Sequence, residues 1–130
     1  MVVVRVLLVE DNEVYRSTLE LLLDGRDGLE IVGSVADGSE AAAAAERLGP
    51  AVVLMDFRLP GLDGAEATAA VRAAAPHAAV LCLTAEATAA DREAVLAAGA
   101  GGLIEKGRPI DDLVRAIHSA TEPGESTPCT

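Results

Sequence analysis

The chain has 130 residues, half of them hydrophobic, a formal charge of −11, and Tyr15 and Phe57 as its only aromatic side chains. Its length suits one domain with a core of ordinary size, and the scarcity of aromatics makes that core aliphatic. The charge opposes direct contact with nucleic acid, which needs basic residues to displace counterions, and there is no aromatic platform for stacking flavin or bases.

Strand-like and helix-like periods alternate five times, which predicts a parallel sheet with helices on both faces. Residues 3–9 read as an apolar strand interrupted only by Arg5. A helix is expected over 13–24, with Asn12 as cap and Val14, Leu19, Leu21, Leu22 and Leu23 at helical spacing. Gly25 and Gly28 break it, and Leu29 to Val35 forms a second strand. Asp37-Gly38-Ser39 opens an alanine-rich helix that stops near Gly49-Pro50; its run from Ala41 to Ala45 reads as bland helix filler. The third strand is 51–56, and Asp63 caps a third helix over 64–75, ended by Pro76. Strand four covers 79–83. Thr88 and Asp91 have the spacing of a capping box for the fourth helix, which Gly99 ends. A short fifth strand spans 102–105. Pro109 at a first helical position starts the last helix, where Ile110, Leu113, Val114 and Ile117 form one apolar stripe. Residues 1–120 are thus expected to form the domain, and the Thr/Pro/Gly/Ser-rich 121–130 a disordered tail or the start of a linker.

Four of these strands end in polar residues: Val9 before Glu10-Asp11, Met55 before Asp56, Leu83 before Thr84, and Ile104-Glu105 before Lys106. Open α/β sheets keep their sites at such carboxyl ends. Converging carboxylates repel one another, and a hard divalent ion such as Mg²⁺ removes that penalty. Asp11 and Asp56 are the expected direct ligands, with Glu10 acting through water and the backbone carbonyl of Arg58 completing the protein share. An oxygen of Asp56 can then attack phosphorus in line while Lys106 neutralises charge on the transferring oxygens. Thr84 would hydrogen-bond the new acyl phosphate and, in moving, pull the following loop and the fourth helix. Each residue also has a plain structural explanation: a turn-forming aspartate, a solvated lysine, a threonine bonding its own backbone, an acidic pair at a helix start. All four would have to hold together, at four separate strand tips, to displace the chemical reading.

These residues bring the chain close to a known family. Leu8-Val9-Glu10-Asp11-Asn12 resembles the acidic-pair motif of response-regulator receiver domains, and Val53 to Gly64 resembles their phosphoacceptor motif. Leu83-Thr84-Ala85 and Ile104-Glu105-Lys106-Gly107 resemble the remaining two, and the likeness covers residues 3 to about 120. The resemblance implies a flavodoxin-like, doubly wound five-stranded sheet in order 2-1-3-4-5. It implies Mg²⁺-dependent transfer from the phosphohistidine of a sensor histidine kinase to Asp56, with the chain's own catalysis limited to its phosphorylation and dephosphorylation. It also implies an interaction face of the fourth helix, fifth strand and fifth helix, able to support a homodimer. Lys106-Gly107 and the run Ala98 to Gly102 look most like receivers that precede LuxR-type helix-turn-helix outputs, which points to a transcriptional output domain outside this chain. The alternatives are a stand-alone receiver and a degenerate receiver that binds partners without phosphorylation.

The chain also departs from the family pattern. Leu103 stands where an aromatic switch residue is usual, and Gly107 follows the lysine where many members have proline. Arg58 and Glu86, two residues beyond Asp56 and Thr84, are expected to pair across the pocket and lengthen the life of the phosphoaspartate. Arg58 also opposes a dehalogenase-type phosphatase, which needs a second acid at that position. A flavodoxin-type electron carrier lacks support, since no phosphate loop follows the first strand. Cys82 and Cys129 form no disulfide framework or thiolate metal site. With a strand starting almost at Met1 and no apolar run of membrane-span length, a cytoplasmic, membrane-free location is expected.

Overall fold

A computed structural model describes residues 3–121. Five parallel strands, β1 (Val4–Val9), β2 (Leu29–Val35), β3 (Val52–Asp56), β4 (Ala79–Thr84) and β5 (Gly102–Glu105), lie in the order β2-β1-β3-β4-β5. Between and after them run α1 (Glu13–Leu23), α2 (Ala41–Leu48), α3 (Gly64–Ala74), α4 (Ala89–Ala97) and α5 (Ile110–Thr121). This is the expected doubly wound arrangement. The expected tail lies outside the described residues, apart from Thr121, which ends α5.

Alternation along the strands divides the core in two. Leu7, Val9, Val53, Met55, Val80 and Cys82 face α2, α3 and α4, whereas Val6, Leu8, Val52, Leu54, Leu81 and Leu83 face α1 and α5. The α5 stripe behaves as its spacing predicts, with Leu113, Val114 and Ile117 buried.

Two readings of helix faces need correction. On α1 only Leu19 and Leu23 are buried, while Val14 and Leu21 are 77% and 82% exposed and Leu22 44%. Successive helical residues turn by about 100°, so Leu19 and Leu23 share the sheet-facing side and Leu21 points away from it. The alanines of α2 are more than filler: Ala41, Ala44 and Ala45 are at most 2% exposed and line the core. Their small side chains let α2 pack closely against the sheet and α3.

Helix ends largely follow local chemistry. Asn12 accepts the Tyr15 N–H, and Asp63 and Glu66 form a reciprocal capping box on α3. Thr88 accepts the Asp91 N–H at 3.0 Å, the N-cap half of the expected box. Before α2 a short 3-10 turn, Gly38–Glu40, intervenes, and Pro109 sits just before the first residue of α5 rather than inside it.

The loop after β3 is held from the side. The Gly38 N–H donates to the Pro60 carbonyl at 3.1 Å, and a Cβ on Gly38 would collide with the Leu62 carbonyl. Gly38→Ala should therefore separate these loops and lower stability by about 1–3 kcal/mol. A urea midpoint equal to that of the wild type would refute this account of the contact.

Candidate functional site

The carboxyl ends of β1, β3, β4 and β5 meet at one edge of the sheet. Asp56 closes β3 and is 6% exposed; Glu10 directly follows β1 and is 2% exposed; Asp11 is exposed. One oxygen from each carboxylate lies within 4.8 Å of the others. Lys106, just beyond β5, places its ammonium 3.1 Å from Glu10 Oε1 and 3.2 Å from Asp56 Oδ2. Its backbone N–H donates to the Thr84 carbonyl at 2.8 Å, which ties the lysine to the end of β4.

The second oxygens of Glu10 and Asp56 are also engaged. Glu10 Oε2 accepts the Asn12 N–H at 3.0 Å, and Asp56 Oδ1 accepts the Arg58 N–H at 3.3 Å. Burial pushes the Glu10 carboxyl above its ordinary pKa, and the Asn12 N–H and Lys106 only partly offset this. For Lys106, burial acts against the charged form, but the hydrogen bond to Glu10 and the Asp56 charge outweigh it and leave the ammonium above the lysine range. Burial likewise raises the Tyr15 phenol.

The donor set is carboxylate oxygen alone, without sulfur or imidazole, and Asp11 is open to solvent. A hard divalent ion that keeps several waters fits such a set. Beside it opens a cleft lined by Asp11, Phe57, Arg58, Leu59, Pro60 and Asp63.

The sequence and the 2-1-3-4-5 sheet that carries these acids have parallels among known proteins. A family model for the response regulator receiver domain matches residues 6–118. The chain belongs to that family. The response regulator GacA of Pseudomonas protegens is 36% identical over 115 residues, covering 88% of this chain and 54% of that protein. The transcriptional regulatory protein LiaR of Bacillus subtilis is 32% identical over 119 residues, covering 92% and 56%. A solved LuxR-family two-component response regulator from Aurantimonas sp. superposes with a TM-score of 0.86 at 32% identity, covering 92% of this chain and 85% of that one. The receiver thus spans about half the length of the curated relatives it matches.

The geometry brings Glu10, Asp11, Asp56 and Lys106 together as expected, but it treats the other candidates differently. Thr84 is buried, and its hydroxyl turns into the following loop, donating to the Glu86 carbonyl at 3.2 Å and accepting the Glu86 N–H at 3.4 Å. The expected Arg58–Glu86 ion pair is not formed among the described residues. The exposed Arg58 guanidinium lies 5.8 Å from the Phe57 ring centroid instead, at the outer range of a cation–π contact. Leu103 is 4% exposed in the core with Val95 and Ala100. Among the described residues no helix is long and apolar enough to cross a membrane.

No motif spacing marks Tyr15, whose ring centroid lies 4.6 Å from Lys106 Nζ. A compositional signal does mark its partner, since Lys106 is the only lysine of the chain.

The folded-state pKa of Lys106 is raised, so its ammonium stabilises the fold below the usual lysine range and loses that contribution as pH climbs through and above about 10.4. The stability gap between wild type and Lys106→Met should accordingly narrow over that window in urea titrations. A gap independent of pH would contradict the assigned ion pairs.

Proposed function

We propose that Asp56 is a phosphoacceptor that takes its phosphoryl group from the phosphohistidine of a sensor histidine kinase. The observation that carries this reading is the single ammonium of Lys106 shared between Glu10 and Asp56, beside Asp11. A carboxylate oxygen of Asp56 attacks phosphorus, the P–N bond of the donor breaks, and its electron pair leaves with the imidazole. Lys106 moves its hydrogen bonds from the carboxylates to the transferring oxygens, where charge must be balanced. Mg²⁺ held by Asp11 and Asp56, with Glu10 through water and the Arg58 carbonyl, would supply the remaining positive charge. The protein catalyses only its own modification and its reversal.

The switch follows from Thr84. Its hydroxyl bonds to the Glu86 backbone here; a phosphoryl oxygen on Asp56 offers a stronger acceptor. Moving toward it, Thr84 releases the loop before α4, and Leu103 repacks within its aliphatic surroundings. The responding surface is the α4-β5-α5 face, where Leu96 is 46% exposed, and it serves homodimerisation. Relatives of about twice this length support residues 1–120 as the receiver and 121–130 as linker to a LuxR-type transcriptional output. Such a protein would work in the cytoplasm.

Intact-mass measurement after incubation with Mg²⁺ and acetyl phosphate or phosphoramidate should show one added phosphoryl group. It should be absent with a chelator and absent in Asp56→Ala, and size exclusion of the product should show dimer. A folded wild type that gains no mass from either donor would overturn the reading. Arg58 lines the cleft, and we propose that it, with Glu86 beyond Thr84, hinders hydrolytic water. Arg58→Ala should then shorten the phosphoaspartate half-life by up to about fivefold, since an exposed contact is worth at most ~1 kcal/mol; an unchanged half-life discards that role.

A further inference from the structure

Lys106 has a third partner besides its two carboxylates. Its Nζ lies 4.6 Å from the centroid of the Tyr15 ring, well within the range of attraction between a cation and an aromatic face. Tyr15 is the only tyrosine of the chain and stands half-buried in the first turn of α1. That turn is tied to the acidic loop three times. Asn12 donates its N–H to Glu10 Oε2, Asn12 Oδ1 accepts the Tyr15 N–H at 2.9 Å, and Arg16 Nη1 donates to the Glu10 carbonyl at 2.7 Å. These bonds fix the backbone from which the Tyr15 ring projects relative to the acidic loop. Together Tyr15 and Lys106 wall a small cavity whose other sides include Leu19, Leu22, Ile104 and Leu113.

The carboxylate contacts of Lys106 must be exchanged when a phosphoryl group arrives, and a lysine stem is flexible enough to swing into solvent at that moment. A neutral ring keeps its attraction for the ammonium whichever anion the ammonium is serving. We propose that Tyr15 is a positioning residue that confines the Lys106 ammonium over Asp56 while its hydrogen bonds pass from the carboxylates to the phosphoryl oxygens. The role in transfer rests on the reading of Asp56 as phosphoacceptor; the confinement of the lysine does not.

Because Lys106 is the only lysine, ¹³C-lysine labelling yields a single side-chain spin system to observe. Its ε-methylene protons should be shifted upfield by the ring in the wild type and in Tyr15→Phe, and should return to the random-coil position in Tyr15→Leu. Phosphorylation by phosphoramidate with Mg²⁺ should run within about twofold of wild type in Tyr15→Phe and about tenfold slower in Tyr15→Leu, a loss equivalent to ~1.4 kcal/mol. The proposal falls if Tyr15→Leu is as fast as wild type, or if the wild-type ε-methylene protons sit at the random-coil position. Should Tyr15→Leu fail to fold, the wild-type and Tyr15→Phe spectra still decide whether the ring holds the lysine. A wild type that accepts no phosphoryl group sinks the phosphoacceptor reading and the role in transfer with it, while the methylene shift separately reports the confinement.

Discussion

The ion pairs of Lys106 with Glu10 and Asp56 are what allow three carboxylates to meet at one end of this sheet. Without a cation, two acids with 2% and 6% exposure would face each other in a poorly solvated pocket, and burial alone already raises Glu10. The lysine lowers that cost without neutralising the whole cluster. One ammonium against three carboxylates leaves the cluster formally negative, and Asp11 stays open to solvent. The proposed divalent ion and phosphoryl group would therefore meet a pocket whose charges are already partly balanced by Lys106.

The rest of the fold holds these few groups at hydrogen-bonding distance. Strand alternation sends neighbouring residues to opposite cores, so β1 and β3 are gripped on both faces and their tips have little freedom. Loops are fastened at the same edge: Lys106 N–H to Thr84 carbonyl, Phe57 N–H to Leu83 carbonyl, Gly38 N–H to Pro60 carbonyl. Thr84 is the exception, since its hydroxyl bonds only to the neighbouring Glu86 backbone. A local bond of that kind is readily exchanged for a charged acceptor, which is what the proposed switch requires of Thr84.

Scarcity of aromatics shapes both the core and the site. Leu103, in β5, is an aliphatic member of the same buried cluster as Val95 and Ala100. The two rings that the chain does have both lie beside cations near the pocket, Tyr15 by Lys106 and Phe57 by Arg58. Fewer large side chains also mean that alanine must build interfaces, as Ala41, Ala44 and Ala45 do beneath α2.

Much of this was legible in the residues alone. Apolar runs that end in acids, hydroxyl or lysine encode the sheet and its functional edge, because strand period and turn chemistry are local properties. The capping residues Asn12, Asp63 and Thr88 act within their own helices for the same reason. What the tertiary structure decided was partnership. No local rule says that Leu21 is exposed while Leu19 is buried, since the face a helix turns inward depends on what packs against it. Spacing suggested that Arg58 would reach Glu86, yet the guanidinium settles by Phe57, its immediate neighbour. Tyr15 and Lys106 lie ninety-one positions apart in the chain, so their contact exists only because α1 and the end of β5 are brought to the same edge of the sheet.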